Sequence, residues 1–460
     1  MSRLSLSGRL SSVLAVASLA SLAACSDVPS SAPTLDPSTA ISASKATSDD
    51  PVVPGDVIVK LKDGQDINAL VARHGVGRGA AGYLHAFDIV TTEHGNERAM
   101  AARLAADPAV EYAEPNYIRH TDAVDSRLWA FYNPGGLNMQ YTSGGTGFIP
   151  SSYASKADAD EDNISNYAVA TNDVTIGSID TGVDFTHPEF TGRLIAGKDW
   201  LDNDNDPSDT PDEGHGTHTT GTAAGTNVGV AGVAGVAAHV KVYVQRVCGA
   251  AGCPDAAIIN AINAAAQYRD ANGKPLVAVN FSIGGSTEST GEKNAIAALT
   301  ANGTLFIASA GNSGSNRLAC PACDANAVSV SSTTWQDVLA SYSQYGRGLT
   351  ISAPGGNCYS NTTPEGCIFS AVVSGYTGGA VSGPTSGSYG WMQGTSMAAP
   401  QVTGTAAVVS AVTGLRGTAL KNRITSTADD IGTAGYDTKY GYGRVNTYRA
   451  VTGTSLPAGQ

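Results

Sequence analysis

Beyond about residue 122, short apolar runs alternate with Ala- and Gly-rich stretches of helical length. Residues 174–180, 241–247, 276–281, 304–309 and 327–331 are largely apolar runs and read as strand candidates. Residues 255–268 and 292–302 carry helical spacing, the second closed by Gly303. Strand and helix in regular succession predict an α/β class, a parallel sheet with helices on both faces. In such a sheet the reactive side chains gather at the carboxyl ends of the strands. We assign this main domain to residues 123–460.

Residues 56–122 have a different texture. Val57, Val59 and Leu61 alternate onto one face, a helix follows with Asp66 as cap and Gly75 as stop, and His85, Phe87 and Ile89 alternate again. A helix over 96–106 ends at Asp107-Pro108, and 110–113 make a last strand, so a small α+β domain is expected. Ahead of it, Arg3 and Arg9 precede an apolar stretch, 13–24, too short to span a bilayer. That stretch ends Leu22-Ala23-Ala24-Cys25, which resembles a bacterial lipobox with Cys25 as the lipid-bearing residue. Residues 1–25 therefore read as an export signal and 26–55, rich in Ser, Pro, Ala and Thr, as a flexible tether. Export places the mature protein outside a bacterial cell or on its outer surface, with the membrane as partner only through that lipid.

Acidic residues outnumber basic ones, 40 to 27, for a net charge of −13, and no basic cluster interrupts the balance. That excludes a nucleic-acid footprint. Apart from Cys25 the cysteines fall in close pairs, Cys248 with Cys253, Cys320 with Cys323 and Cys358 with Cys367. In an exported chain they read as disulfides, although neighbour pairing is one of many pairings, and Cys320-Pro321-Ala322-Cys323 alone also fits a redox motif or half a zinc site.

Three motifs stand where a parallel sheet puts its chemistry. Ile179-Asp180-Thr181-Gly182 ends the first strand on a carboxylate, Gly214-His215-Gly216-Thr217-His218 opens a helix with an imidazole, and Gly394-Thr395-Ser396-Met397-Ala398-Ala399-Pro400 sets a serine at a tight turn into a helix. Singly, each is a common strand end, helix start or turn. Together they form a nucleophile, the base that takes its proton and the carboxylate that holds the base in one tautomer.

With these motifs, in the chain order Asp, His, Ser, residues 122–450 resemble the subtilisin-like serine proteases, the subtilases. The resemblance implies a subtilisin-like parallel sheet and a secreted serine endopeptidase acting through an acyl-enzyme on protein and peptide substrates. It implies Asn312, in Ala308-Ser309-Ala310-Gly311-Asn312, as the amide donor to the developing oxyanion. It also implies that Ser282, Ile283 and Gly284, with Gly249, Ala250 and Gly252, flank an extended substrate, and that Ala310 and Gly311 line its cleft. Residues 56–122 then resemble the inhibitory propeptide of such enzymes, the chain's own intramolecular partner, released by self-cleavage within 119–126. Asp202, Asp204, Asp206 and Asp209 form an acidic loop in which a structural Ca²⁺ is expected. The family's stronger calcium site has less support, because Gly225-Thr226-Asn227-Val228 is short and Glu189 replaces an Asp. Ala319 and Ala322 near the specificity pocket, with no acid at its base, imply broad cleavage with an apolar bias, although an inward Arg317 would favour acidic residues. A monomer is expected. Two other classes compete: an inactive lipid-anchored binding protein on the same fold, and an acid protease using Glu and Asp with Ser. The first needs none of the four site residues, and the second conflicts with His215 and the neutral Asn312.

Overall fold

The computed structural model describes residues 52–81, 87–117, 128–131, 138–140, 146–148, 169–287, 289–358, 366–378 and 381–454. The export signal with Cys25, residues 26–51 of the tether, His85 and the expected cleavage stretch 119–126 lie outside the described residues. The chain divides into two compact units, Met1–His120 and Thr121–Gln460.

In the first unit, β1 (Val52–Leu61), β2 (Gly77–Ala81), β3 (Asp88–Thr91) and β4 (Val110–Tyr117) form an antiparallel sheet in the order β2-β3-β1-β4. Helices α1 (Ile67–His74) and α2 (Glu97–Ala105) supply Leu70, Ala101 and Leu104 to a core with Val57, Val59 and Val90. The end signals of α1 operate as expected: the Asp66 carboxylate accepts from Asn68 N, and Gly75 takes the left-handed conformation. Two features differ from expectation. Strand β1 starts at Val52, inside the stretch read as tether, because a bulge before Val57 lets Val52 pair with Tyr117. Strand β2, Gly-Arg-Gly-Ala-Ala, has no apolar alternation to announce it and is an edge strand.

In the second unit β5 (Asn138–Gln140) and β6 (Thr146–Phe148) pair as a short ribbon. The main sheet comprises β7 (Val174–Asp180), β8 (Leu194–Asp199), β9 (Val240–Arg246), β10 (Ala278–Phe281), β11 (Leu305–Ser309), β12 (Ala327–Thr333) and β13 (Ile351–Pro354). Its order is β13-β12-β11-β10-β7-β9-β8, parallel at every pairing. Side chains alternate between two cores. Val174, Ile176 and Ile307 face the side holding α3 (His215–Ala224), the short α4 (Val230–Val233) and α7 (Thr395–Thr413). Ile179, Val279, Phe281 and Phe306 face α5 (Asp255–Gln267) and α6 (Thr290–Ala301). Helix α7 is apolar on nearly every side and buried almost throughout, as a helix in the middle of a layer must be. An antiparallel sheet, β14 (Ile368–Val372), β16 (Ser388–Met392) and β15 (Val381–Ser382), and helices α8 (Gly417–Ser426) and α9 (Thr447–Thr452) complete the unit.

The chain begins this sheet at β7, runs next to the edge strand β8, comes back to β9 between the two, and then crosses to β10 on the other side of β7. The reversal leaves a crevice at the carboxyl end of β7, where Asp180 stands.

Candidate active site

Asp180 is buried at the end of β7, 1% exposed. Its Oδ1 accepts from Thr181 N at 2.8 Å and lies 2.7 Å from His215 Nδ1, while Oδ2 accepts from Thr219 Oγ1 at 3.2 Å. A carboxylate only accepts, so Nδ1 carries the imidazole proton and Nε2 is left as the basic nitrogen. Burial lowers the His215 pKa, but the charge and hydrogen bond of Asp180, with Asp209 and Glu213 behind it, outweigh burial and hold it above the ordinary 6.5. His215 opens α3, and its partner in the motif behaves differently. His218 is buried with Nε2 3.1 Å from the Ile368 carbonyl, and burial takes its pKa down to about 3. It is a neutral core histidine.

Ser396 is the second residue of α7, in a turn led by Gly394 at φ 148°. Its Oγ donates to the Ser282 carbonyl at 3.2 Å, and no bond from it to His215 is among the described contacts. With α7 starting at Thr395, Pro400 stands in the second turn, and it cannot donate to the Ser396 carbonyl four residues back. Ser282 Oγ donates there instead, at 2.9 Å, and in turn accepts from Asn280 Nδ2 at 3.1 Å. The residue read as a substrate edge is therefore also a brace for the serine. Only the proline hinted at it.

Asn312 follows β11 and is exposed. Its Oδ1 accepts from Thr395 N at 2.9 Å and Thr395 Oγ1 at 2.8 Å, and among the described residues Nδ2 has no acceptor, so it can donate to a bound group. A Cβ placed on Gly394 would lie 3.3 Å from Asn312 Nδ2 and 3.6 Å from Ser396 N, so the two donors border the same small space.

The expected substrate residues separate into two groups. Ile283 and Gly284 make no main-chain hydrogen bond among the described residues, whereas Gly285 pairs with Cys320. Gly249 and Gly252 differ from expectation: they pair with each other at 3.2 and 2.8 Å in a turn closed by the Cys248–Cys253 disulfide, so their main-chain groups are engaged inside it, beside exposed Ala250. Ala310 and Gly311 are also engaged, with Val330, Ala319, Gln344 and Thr395 Oγ1, and hold Asn312 rather than offering an edge. Ala319 packs near both Gly284 and Gly311, but Ala322 belongs to the core under α5 and α6. The Arg317 guanidinium reaches the Ser286 carbonyl at 3.4 Å. Cys320–Cys323 and Cys358–Cys367 are the other two disulfides, so all three pairs join neighbours.

The acidic loop does not assemble the expected calcium site. Asp202 pairs with Arg246 at 2.7 Å, Asp204 Oδ1 accepts from Asp206 N, and Asp206 Oδ1 accepts from Ser208. Asp209 has both oxygens occupied by Thr181, Thr210 and Thr217. No group of three or more His, Cys, Asp or Glu that could hold a metal occurs among the described residues. At Glu189 too the acceptors are taken, by Asn227 N at 2.6 Å, Asn227 Nδ2 at 3.1 Å and Tyr389 OH at 2.6 Å, while the Arg193 guanidinium donates to its carbonyl. The residues present do not fit a calcium ion at either place.

The sequence model of the Subtilase family matches residues 171–443, and that of the fervidolysin N-terminal prodomain matches residues 38–116. A thermophilic serine proteinase of Bacillus sp. (strain AK1) is 33% identical over 365 residues, 78% of this chain and 77% of that protein. Thermitase of Thermoactinomyces vulgaris is 33% identical over 277 residues, covering 60% and 88% of the two chains. Among solved structures, a protease of Pseudoalteromonas arctica superposes with a TM-score of 0.57 at 27% identity, over 71% of this chain and 97% of that one.

Proposed function

The chain belongs to the subtilase family, is a subtilisin-type serine endopeptidase with an N-terminal prodomain, and on that premise we propose that Asp180, His215 and Ser396 carry its chemistry, with Asn312 as the amide donor. The observation that carries this reading is the 2.7 Å bond between Asp180 and His215 Nδ1. Ser396 Oγ swings from the Ser282 carbonyl toward Nε2, passes its proton there and bonds to the scissile carbonyl carbon. The oxygen, now negative, accepts from Asn312 Nδ2 and Ser396 N. When the C–N bond breaks, His215 returns the proton to the leaving amine, and water repeats the cycle to release the acid. Ile283 and Gly284, whose main-chain groups make no hydrogen bond among the described residues, support an edge for an extended substrate.

The domain limits 1–25, 26–55, 56–122 and 123–460 remain part of this proposal, as do export from a bacterial cell, a lipid on Cys25, a monomeric mature enzyme, broad cleavage with an apolar bias and self-cleavage within 119–126. Because the tether stays with the prodomain, cleavage would free the protease from a lipid anchor. Calcium has no step in the mechanism. A structural ion elsewhere would appear as a melting temperature lowered by chelator.

The test compares the chain from residue 26 onward as wild type and as Ser396→Ala. Wild type should shed its N-terminal unit and hydrolyse denatured protein around pH 8, while the variant stays full length and inert. If both stay intact and inert, the assignment fails and a binding role takes its place.

A further inference from the structure

Asp209 lies outside the proposed proton path, yet it is buried against it, 7% exposed. Four donors converge on its carboxylate. Oδ1 accepts from Thr181 Oγ1 at 2.9 Å and Thr210 N at 3.0 Å, and Oδ2 accepts from Thr217 Oγ1 at 2.6 Å and Thr217 N at 3.0 Å. Two of these partners adjoin the site. Thr181 follows Asp180 in the chain, and Thr217 stands two residues after His215 in the first turn of α3. Thr181 Oγ1 closes the loop by accepting from Gly216 N at 2.8 Å, the residue next to His215. The end of β7 and the start of α3 are thus joined at several points: Asp180 bonds to His215 and Thr219, Thr181 bonds to Gly216 N, and Thr181, Asp209 and Thr217 form a further tie.

We propose that Asp209 is a positioning residue for the protease reaction, fixing the strand end that carries Asp180 against the helix start that carries His215. This rests on the assignment of those two residues as catalytic. A bond between a carboxylate and an imidazole does not by itself fix the ring relative to the serine. A second tie, anchored on main-chain N–H groups of the same turn, does. The carboxylate also suits the helix N-terminus, where negative charge is favoured. Asparagine could not replace it in kind. An amide has one oxygen, so a main-chain N–H of either Thr210 or Thr217 would face an NH₂ group and lose its acceptor.

The test uses Asp209→Asn, Thr181→Val, Thr181→Ser and the double variant Asp209→Asn/Thr181→Val in the full chain. Rates are normalised to sites titrated with a fluorophosphonate. For Asp209→Asn and Thr181→Val, kcat and the fluorophosphonate labelling rate should fall together by roughly 10–100-fold, with KM changed by less than about threefold. Thr181→Ser, which keeps the hydroxyl, should restore most of kcat, and the double variant should be no slower than about threefold below the slower single, because both cut one tie. The inference is overturned if Asp209→Asn keeps wild-type kcat and labelling, if the loss appears in KM, or if the two losses multiply. Should Asp209→Asn fail to fold by circular dichroism, the Thr181 pair decides alone, and equal kcat for Val and Ser overturns it. A wild type that neither cleaves nor labels would sink the catalytic assignment instead.

Discussion

At the scale of single residues the account rests on where protons and acceptors sit. Asp180 Oδ1 accepts from both Thr181 N and His215 Nδ1, so the imidazole keeps its proton on the buried side and leaves Nε2 for the proton transfer proposed for Ser396. Burial opposes the imidazolium but Asp180 wins, so the His215 pKa is raised, and the neutral base appears only as pH climbs through that value. The expected pH profile of kcat/KM therefore rises with a midpoint above 6.5 and is flat beyond it. Asp180→Asn should move that midpoint down and cost kcat about 10⁴-fold. Asn312→Ala should lower kcat by roughly 10²–10³-fold while KM changes little, as removal of one oxyanion donor does. An Asn312→Ala loss seen in KM alone would assign the amide to substrate binding. The motifs that hold His215, Asp180, Ser396 and Asn312 were legible because each is short and continuous in the chain. Asp209 was not. Its partners Thr181 and Thr217 are 28 and 8 positions away, and in sequence it is one more acid in an acidic loop. The second role of Ser282 was equally hidden, since its bond to the Ser396 carbonyl spans 114 positions.

Elements show the same division. Strands buried between two layers of helices announced themselves as apolar runs, and β7, β9, β10, β11 and β12 fall within a residue or two of the expected ranges. The two strands of the main parallel sheet that sequence reasoning missed, β8 and β13, are its edges. Strand β8 is half exposed and carries Gly197 and Lys198, and β13 is four residues ending in Pro354, so neither offers a continuous apolar run. The turn into α7 was legible as glycine-led, but its purpose is geometric. At φ 148° and ψ 165° Gly394 occupies backbone space open essentially to glycine alone, and any side chain there would crowd the space bordered by Asn312 Nδ2 and Ser396 N. Gly394→Ala should therefore cost kcat at least as much as Asn312→Ala. Backbone strain of about 1–3 kcal/mol should lower the melting temperature as well. Wild-type kcat in a stable Gly394→Ala enzyme would mean that those two donors do not border the oxyanion.

For the whole molecule, the division of the chain follows from two incompatible textures: a small antiparallel sheet with its own core and a parallel sheet with two. Their combination with matches to a protease domain and to a prodomain makes this a protease with its own N-terminal partner. The three disulfides bridge separations of only 5, 3 and 9 residues, so the chain-entropy gain from each is small and the large apolar cores carry the stability. Reduction without denaturant should accordingly leave the main sheet folded, which far-ultraviolet circular dichroism would check; collapse of the signal would assign the disulfides a larger share. The deciding measurement is mass spectrometry of the enzyme after exposure to a fluorophosphonate. The account predicts one adduct per active molecule, on the peptide holding Ser396, and none when His215 is replaced by Ala. An adduct on another serine, or equal labelling without His215, would contradict it.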